Sequence, residues 1–212
     1  MPEIGDRDER ETVVLLHGIW MRAAVTRTLG ERLSAAGYRV IRIDYASVHA
    51  PFAEHFSMLD RAFDGGQAAV HIVGHSLGGV LALHYLLQRP DLPPGRVVCL
   101  GSPLCGSMLA QRLERAGLAQ LSLGHARGAL TRPLPDWQGK REVGVIAGTL
   151  ALGMGLLLGP LNEPCDGTVA VRETQLPGVR EHLTLRVSHT GLLYSKRTAE
   201  ATVRFLRNGS FK

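Results

Sequence analysis

The hexapeptide Gly74-His75-Ser76-Leu77-Gly78-Gly79 constrains this chain more than any other stretch. It follows Ala68-Ala69-Val70-His71-Ile72-Val73, a short run rich in β-branched residues that predicts a buried parallel strand. Beyond it, Val80-Leu81-Ala82-Leu83-His84-Tyr85-Leu86-Leu87 is Leu/Ala-rich and long enough for a helix. A G-x-S-x-G between strand and helix makes a turn tight enough to strain the serine backbone, so positions 74 and 78 tolerate nothing larger than glycine. Such a turn stands Ser76 Oγ at the top of the sheet, and the N–H groups that open the helix can hold an oxyanion. The bland alternative is a glycine-rich turn with an incidental serine. The motif alone arises often by chance, and its strand–turn–helix setting favours the nucleophile. A nucleophile then needs a base, an acid and a second oxyanion donor from elsewhere in the chain.

The donor is expected upstream. Thr12-Val13-Val14-Leu15-Leu16 reads as a continuous apolar strand ending in His17-Gly18-Ile19-Trp20. A loop after an early strand supplies the second N–H in folds of this kind, which points to Ile19 beside Leu77. Trp20 either walls an acyl pocket or only packs the loop. Residues 21–36 read as helical and stop at Gly37; residues 38–45 form the second strand, near an edge; a helix over about 52–64 leads to the elbow strand.

Downstream, Arg96-Val97-Val98-Cys99-Leu100 is the next strand, 108–117 looks helical, and 118–140 reads as irregular cover because of Pro133, Pro135 and its glycines. The uncharged stretch Val143–Leu161 reaches transmembrane length. Its five glycines and closing proline, with no aromatic belt, instead suggest a strand to about 148 and an apolar loop along the site's rim. A span would also part Ser76 from the residues that follow.

Those residues include Asp166, on an Asp-Gly turn, with Glu163 and Glu173 as its competitors and Asp44 a weaker one. Arg180–Val187 reads as the last strand, and it delivers His189 just before a final helix. Nine histidines dilute any one of them, but His189 both ends a strand and follows the acid. His17 and His75 flank the active-site loops and read as structural. Ser76, Asp166 and His189 thus fall in the order Ser…Asp…His.

Composition adds bounds. The chain has 212 residues, 45% apolar and 20% charged, enough for one well-buried domain. Its net charge of +5 and pI near 9.5 come from scattered arginines rather than a basic run, and no nucleic-acid motif is present. Three irregularly spaced cysteines make neither a disulfide framework nor a zinc site and fit a reducing cytosol, although a Cys105–Cys165 bridge stays open. Residues 1–11 are charged, lack an apolar core and read as a frayed leader rather than a secretory signal, leaving 12–212 as the domain.

Val13–Trp20, Val70–Tyr85 and the closing Ser188-His189-Thr190-Gly191-Leu192-Leu193-Tyr194-Ser195 together resemble the small, lidless bacterial lipases of the α/β-hydrolase fold. Gly101-Ser102-Pro103-Leu104-Cys105-Gly106-Ser107 is similar to the G-[ST]-P-x-x-G-S loop of related lipases and lipid deacylases. One departure is Gly74, where the lidless lipases often carry alanine.

The expectations follow. The fold class is α/β: a single domain with a mostly parallel six-stranded sheet in the order 2-1-3-4-5-6, helices on both faces, and little or no cap. The activity is hydrolysis of a small-molecule or lipid ester of short to medium acyl length, in the cytoplasm, with no metal or cofactor, no nucleic acid and no stable membrane insertion. Trp20, Leu104, Met108, Leu152, Met154 and Leu192 are expected to line an open groove, with residues 147–161 as a small flap in the alternative. A thioesterase, amidase or lipid deacylase on the same fold is the competing chemistry. A catalytically silent binding protein is the competing class, and the complete triad speaks against it. Oligomeric state is left open.

Overall fold

The computed structural model describes residues 10–64, 69–153 and 159–212. All but the last two residues of the expected leader therefore lie outside the described residues. Six strands form one parallel sheet: β1 (Thr12–Leu16), β2 (Arg39–Ile43), β3 (Val70–His75), β4 (Val97–Leu100), β5 (Val143–Gly148) and β6 (Glu181–Leu185). Their order is β2-β1-β3-β4-β5-β6, as the sequence predicts. The four inner strands are buried at every residue, which is why they read as largely apolar runs. The outermost β2 alternates and exposes Arg39 and Arg42.

Side chains alternate across the sheet, so each strand feeds two cores. Val14, Leu16 and Ile72 point to one face, against Phe56 and Leu59 of α2 (Phe52–Phe63) and Leu83 and Tyr85 of α3 (Leu77–Gln88). Val13, Leu15 and Val73 point to the other, against Leu29 and Leu33 of α1 (Arg27–Ala35) and Phe205 and Leu206 of the last helix, Lys196–Asn208. That last helix is capped by the Ser195 side chain, which accepts from Thr198 N at 3.2 Å, and ends at Gly209 in the left-handed region.

Between β4 and β5 the chain departs from expectation. After α4 (Met108–Arg115), the stretch expected to be irregular holds two short helices, α5 (Ala119–Leu123) and α6 (Arg127–Thr131). Ala110, Leu113, Ala119, Leu123, Ala126 and Leu130 from these helices bury one small core against Leu77, with Ile19 and Phe52 at its margin. Burial of that apolar face, rather than helix propensity, holds helices this short. The last two helices are α7 (Gly191–Tyr194) and α8, Lys196–Asn208.

Within Val143–Leu161, residues 143–148 are β5, and among the described residues no helix is long and apolar enough to cross a membrane. All three cysteines are free thiols, so Cys105 and Cys165 are not bridged. Cys165 instead sits buried in an isolated bridge with Ala170.

Candidate active site

The carboxyl ends of β1, β3, β4 and β5 lie side by side, with Leu16 opposite Gly74 and His75 opposite Leu100. Ser76 leaves β3 there at φ 54° and ψ −121°, a positive φ for a residue with a Cβ, and its N–H donates to Leu100 O at 2.8 Å. The glycines show why the turn holds. A Cβ at Gly74 would collide with the Gly79 backbone, and one at Gly78 would sit 2.5 Å from Leu16 O and 2.7 Å from His17 O. Gly79 is equally constrained, because a Cβ there would strike the Ser102 side chain.

Asp166 is almost fully buried, exposing 1% of its surface. Its Oδ1 accepts from Thr168 N at 2.9 Å and Val169 N at 2.8 Å, which leaves Oδ2 to accept from His189 Nδ1 at 2.7 Å. The backbones are joined as well, since His189 N donates to Asp166 O at 2.9 Å. Both side chains close around Gly101: a Cβ there would lie 3.0 Å from Asp166 Oδ2 and 3.2 Å from His189 Nδ1. The competing carboxylates are occupied elsewhere. Glu163 pairs with Arg172 at 2.8 Å, and Asp44 pairs with Arg22 at 2.6 Å while accepting from Ala23 N. Glu173 is buried and accepts from Met108 N at 2.5 Å and Ala170 N at 2.9 Å, tying the Asp166 loop to the start of α4. Burial pushes its carboxyl above the usual range.

Two histidines that read as structural brace this site. The His75 ring is fully buried, lies 4.7 Å from the His189 ring between centroids, and its Nε2 donates to His189 O at 3.0 Å. Burial, reinforced by the neighbouring His189, pushes its pKa down to about 3, so it stays neutral. His17 Nδ1 donates to Gly18 O at 2.8 Å, and its Nε2 accepts from Tyr45 N at 3.3 Å. Burial holds this imidazole below its ordinary pKa too. Gly18 C=O and Ile19 N–H belong to one trans peptide and point opposite ways, so fixing the carbonyl fixes the direction of the N–H. A Cβ at Gly18 would lie 3.1 Å from Ser76 Cβ, which places this loop against the serine. Leu77, the first residue of α3, has an N–H with no intrahelical acceptor by the geometry of a helix start.

The expected pocket residues divide. Trp20 and Leu152 are exposed and Met108 partly so. Leu104 and Leu192 are fully buried in the two cores, so neither lines a rim. Met154 lies outside the described residues. Ser76 exposes only 7%, more enclosed than an open groove implies, because α4–α6 and the Ile19 loop pack over its neighbour Leu77. Among the described residues no group of three or more His, Cys, Asp or Glu is placed to hold a metal ion. A cavity of about 930 Å³ opens at the opposite end of the sheet, against Leu86, Trp137 and Arg141, and includes none of the expected site residues.

A six-stranded parallel sheet, a strained serine at the β3–α3 junction and a buried Asp–His contact beyond the strand ends all mark one fold. The profile of the alpha/beta hydrolase family matches residues 13–201. The chain belongs to the alpha/beta hydrolase family. No curated protein matches it in sequence. Similar solved structures include the mature form of a Bacillus licheniformis lipase, at 17% identity and TM-score 0.72, covering 95% of this chain and 93% of that one. A Paleococcus ferrophilus monoacylglycerol lipase superposes at 18% identity and TM-score 0.62, covering 95% and 96%. A Sphingobium faniae pyrethroid hydrolase does so at 16% and 0.66, covering 93% and 98%. At such identities the likeness is one of fold. This alpha/beta hydrolase thus has lipase and esterase neighbours in shape, and its chemistry rests on its own residues.

Proposed function

We propose that this alpha/beta hydrolase is a serine carboxylic-ester hydrolase acting through an acyl-enzyme on short to medium acyl esters. The observation that carries the reading is the 2.7 Å contact from His189 Nδ1 to Asp166 Oδ2, buried beside a serine held at positive φ. In that arrangement Asp166 fixes the imidazole with its proton on Nδ1, which frees Nε2 to act as base. His189 takes the Ser76 proton as Oγ attacks the ester carbonyl and returns it to the leaving alkoxide. The Ile19 and Leu77 N–H groups hold the oxyanion, and water repeats the cycle to release the acid. The cycle uses only these groups and water. Three unbridged thiols fit a reducing compartment, which supports a cytoplasmic setting.

A fluorophosphonate should label Ser76 and nothing else. Ser76→Ala should fold normally and lose ester hydrolysis by roughly 10⁴–10⁶-fold. Labelling at another residue, or activity kept by the alanine variant, would sink the assignment. A panel of p-nitrophenyl esters of increasing chain length, with a matched thioester, separates ester from thioester chemistry.

A further inference from the structure

The helices between β4 and β5 carry apolar side chains on both faces. The inner face, Ala119 and Leu123 of α5, packs against Leu77 and Ile19. The outer face leaves Leu118 48% and Leu121 89% exposed. These two are three residues apart and so share one side of the turn. Trp20 joins them. It is 60% exposed, and its Nε1 donates to Ser122 O at 2.8 Å, within α5. Its backbone sits at φ 58°, with its N–H donating to Ser47 Oγ at 3.1 Å. A bulky residue at positive φ is costly, and here hydrogen bonds from both its backbone and its indole hold that conformation while the ring stays in solvent.

The surroundings are basic. Between Met108 and Arg132 the chain has four arginines and a single acidic residue, Glu114, in a molecule of net charge +5. Arg115 closes α4 and Arg127 opens α6, so both flank α5. Arg127 reaches Glu114 at 2.7 Å, which fastens α6 to α4 across it. Arg115 is exposed. An indole and two leucines exposed at one helix, with an arginine on each adjoining helix, match a surface where apolar chains lie below anionic headgroups.

We propose that Trp20, Leu118 and Leu121, flanked by Arg115 and Arg127, form a docking face for an anionic lipid bilayer. The leucines and indole enter the headgroup–acyl boundary, and the exposed Arg115 meets the headgroup phosphates while Arg127, paired with Glu114, braces the helices behind the face. Docked in this way, the proposed oxyanion loop lies next to the bilayer-facing helix, because Ile19 packs against the small core that α5 shares and Trp20 is bonded to Ser122 of α5. Esters held in the bilayer then become the substrate class of the Ser76 site. That last step rests on the proposed hydrolysis, whereas the docking does not.

The test uses full-length Ser76→Ala protein, so that binding is read without turnover. Co-sedimentation with phosphatidylcholine vesicles is compared with phosphatidylcholine–phosphatidylglycerol vesicles. Partitioning should favour the anionic vesicles by about tenfold and weaken as salt rises. Leu121→Glu, at a position with almost no packing to lose, should lower it by about tenfold with an unchanged unfolding temperature. In the Ser76 background, turnover of soluble p-nitrophenyl butyrate should not change on the Leu121 substitution. Brominated lipid should quench Trp20 emission. Equal binding to neutral vesicles, or undiminished binding by Leu121→Glu, would overturn the proposal. So would a dimer that Leu121→Glu dissociates, since a second copy would then cover this face. Vesicle binding without ester hydrolysis would leave the docking standing and remove only the reading of Ser76.

Discussion

Asp166 and Glu173 sit seven residues apart, both buried, and differ in what their second oxygen meets. Asp166 gives one oxygen to its own turn and the other to His189; Glu173 gives both to backbone N–H groups, of Met108 and Ala170. The contrast fixes what substitution should do. Asp166→Asn should lower kcat by about 10⁴ with little change in KM, because an amide cannot hold the imidazole in the same tautomer. Glu163→Gln, at an exposed ion pair with Arg172, should leave kcat within about twofold. Glu173→Gln should cost about 1–3 kcal/mol of stability, because one of two buried donors would face an NH₂ group. Urea unfolding and steady-state kinetics on the three variants check this, and a crippled Glu163→Gln would reassign the acid.

At the scale of elements, the elbow is locked from the far side by β4. Gly79→Ala should destabilise strongly, since its Cβ would strike Ser102. Ser102→Gly should recover most of that loss, and a double-mutant cycle in urea measures the coupling; additive effects would mean the collision is relieved some other way. The inner strands and the elbow were legible in the sequence because strands buried on both faces must be largely apolar, and the strand order followed from the resemblance to the α/β-hydrolase fold. The turn glycines announced themselves for the same steric reason that the structure displays. Helices α5 and α6 were not legible. Five residues give too few positions for a 3.6-residue period to show, and Gly124 and Gly128 interrupt the stretch. Leu104 and Leu192 misled because an apolar residue just beyond a strand's carboxyl end does not say whether it turns toward the mouth or the core. The bracing by His17 and His75 was hidden for a third reason: Tyr45 and His189 lie 28 and 114 residues from them in sequence.

The whole molecule stores six histidines, His17, His55, His71, His75, His84 and His182, whose pKa values burial lowers. Below the ordinary histidine pKa the unfolded chain binds protons at these sites that the folded chain does not. Stability is therefore present above about pH 6.5 and is lost as pH falls toward the folded values. His75 alone accounts for about 2 kcal/mol between neutrality and pH 5. Glu173 acts in the opposite sense at lower pH, as a single group. The unfolding temperature should fall steadily from pH 7.5 to pH 5, with protons taken up on unfolding; a flat profile would mean that these rings are charged in the native state. The order of the strands along the chain has a consequence for synthesis. The loop of the proposed oxyanion donor follows β1 and Ser76 follows β3, whereas the proposed acid follows β5 and the proposed base follows β6, the last of the sheet's six strands along the chain. A nascent chain can shape its elbow while β5 and β6 are still being made, yet it lacks the His189 imidazole that the proposed mechanism needs to arm the serine. On the proposed mechanism the growing polypeptide is inert toward cellular esters until the segment that carries His189 has emerged, so the nucleophile is shaped well before it is armed.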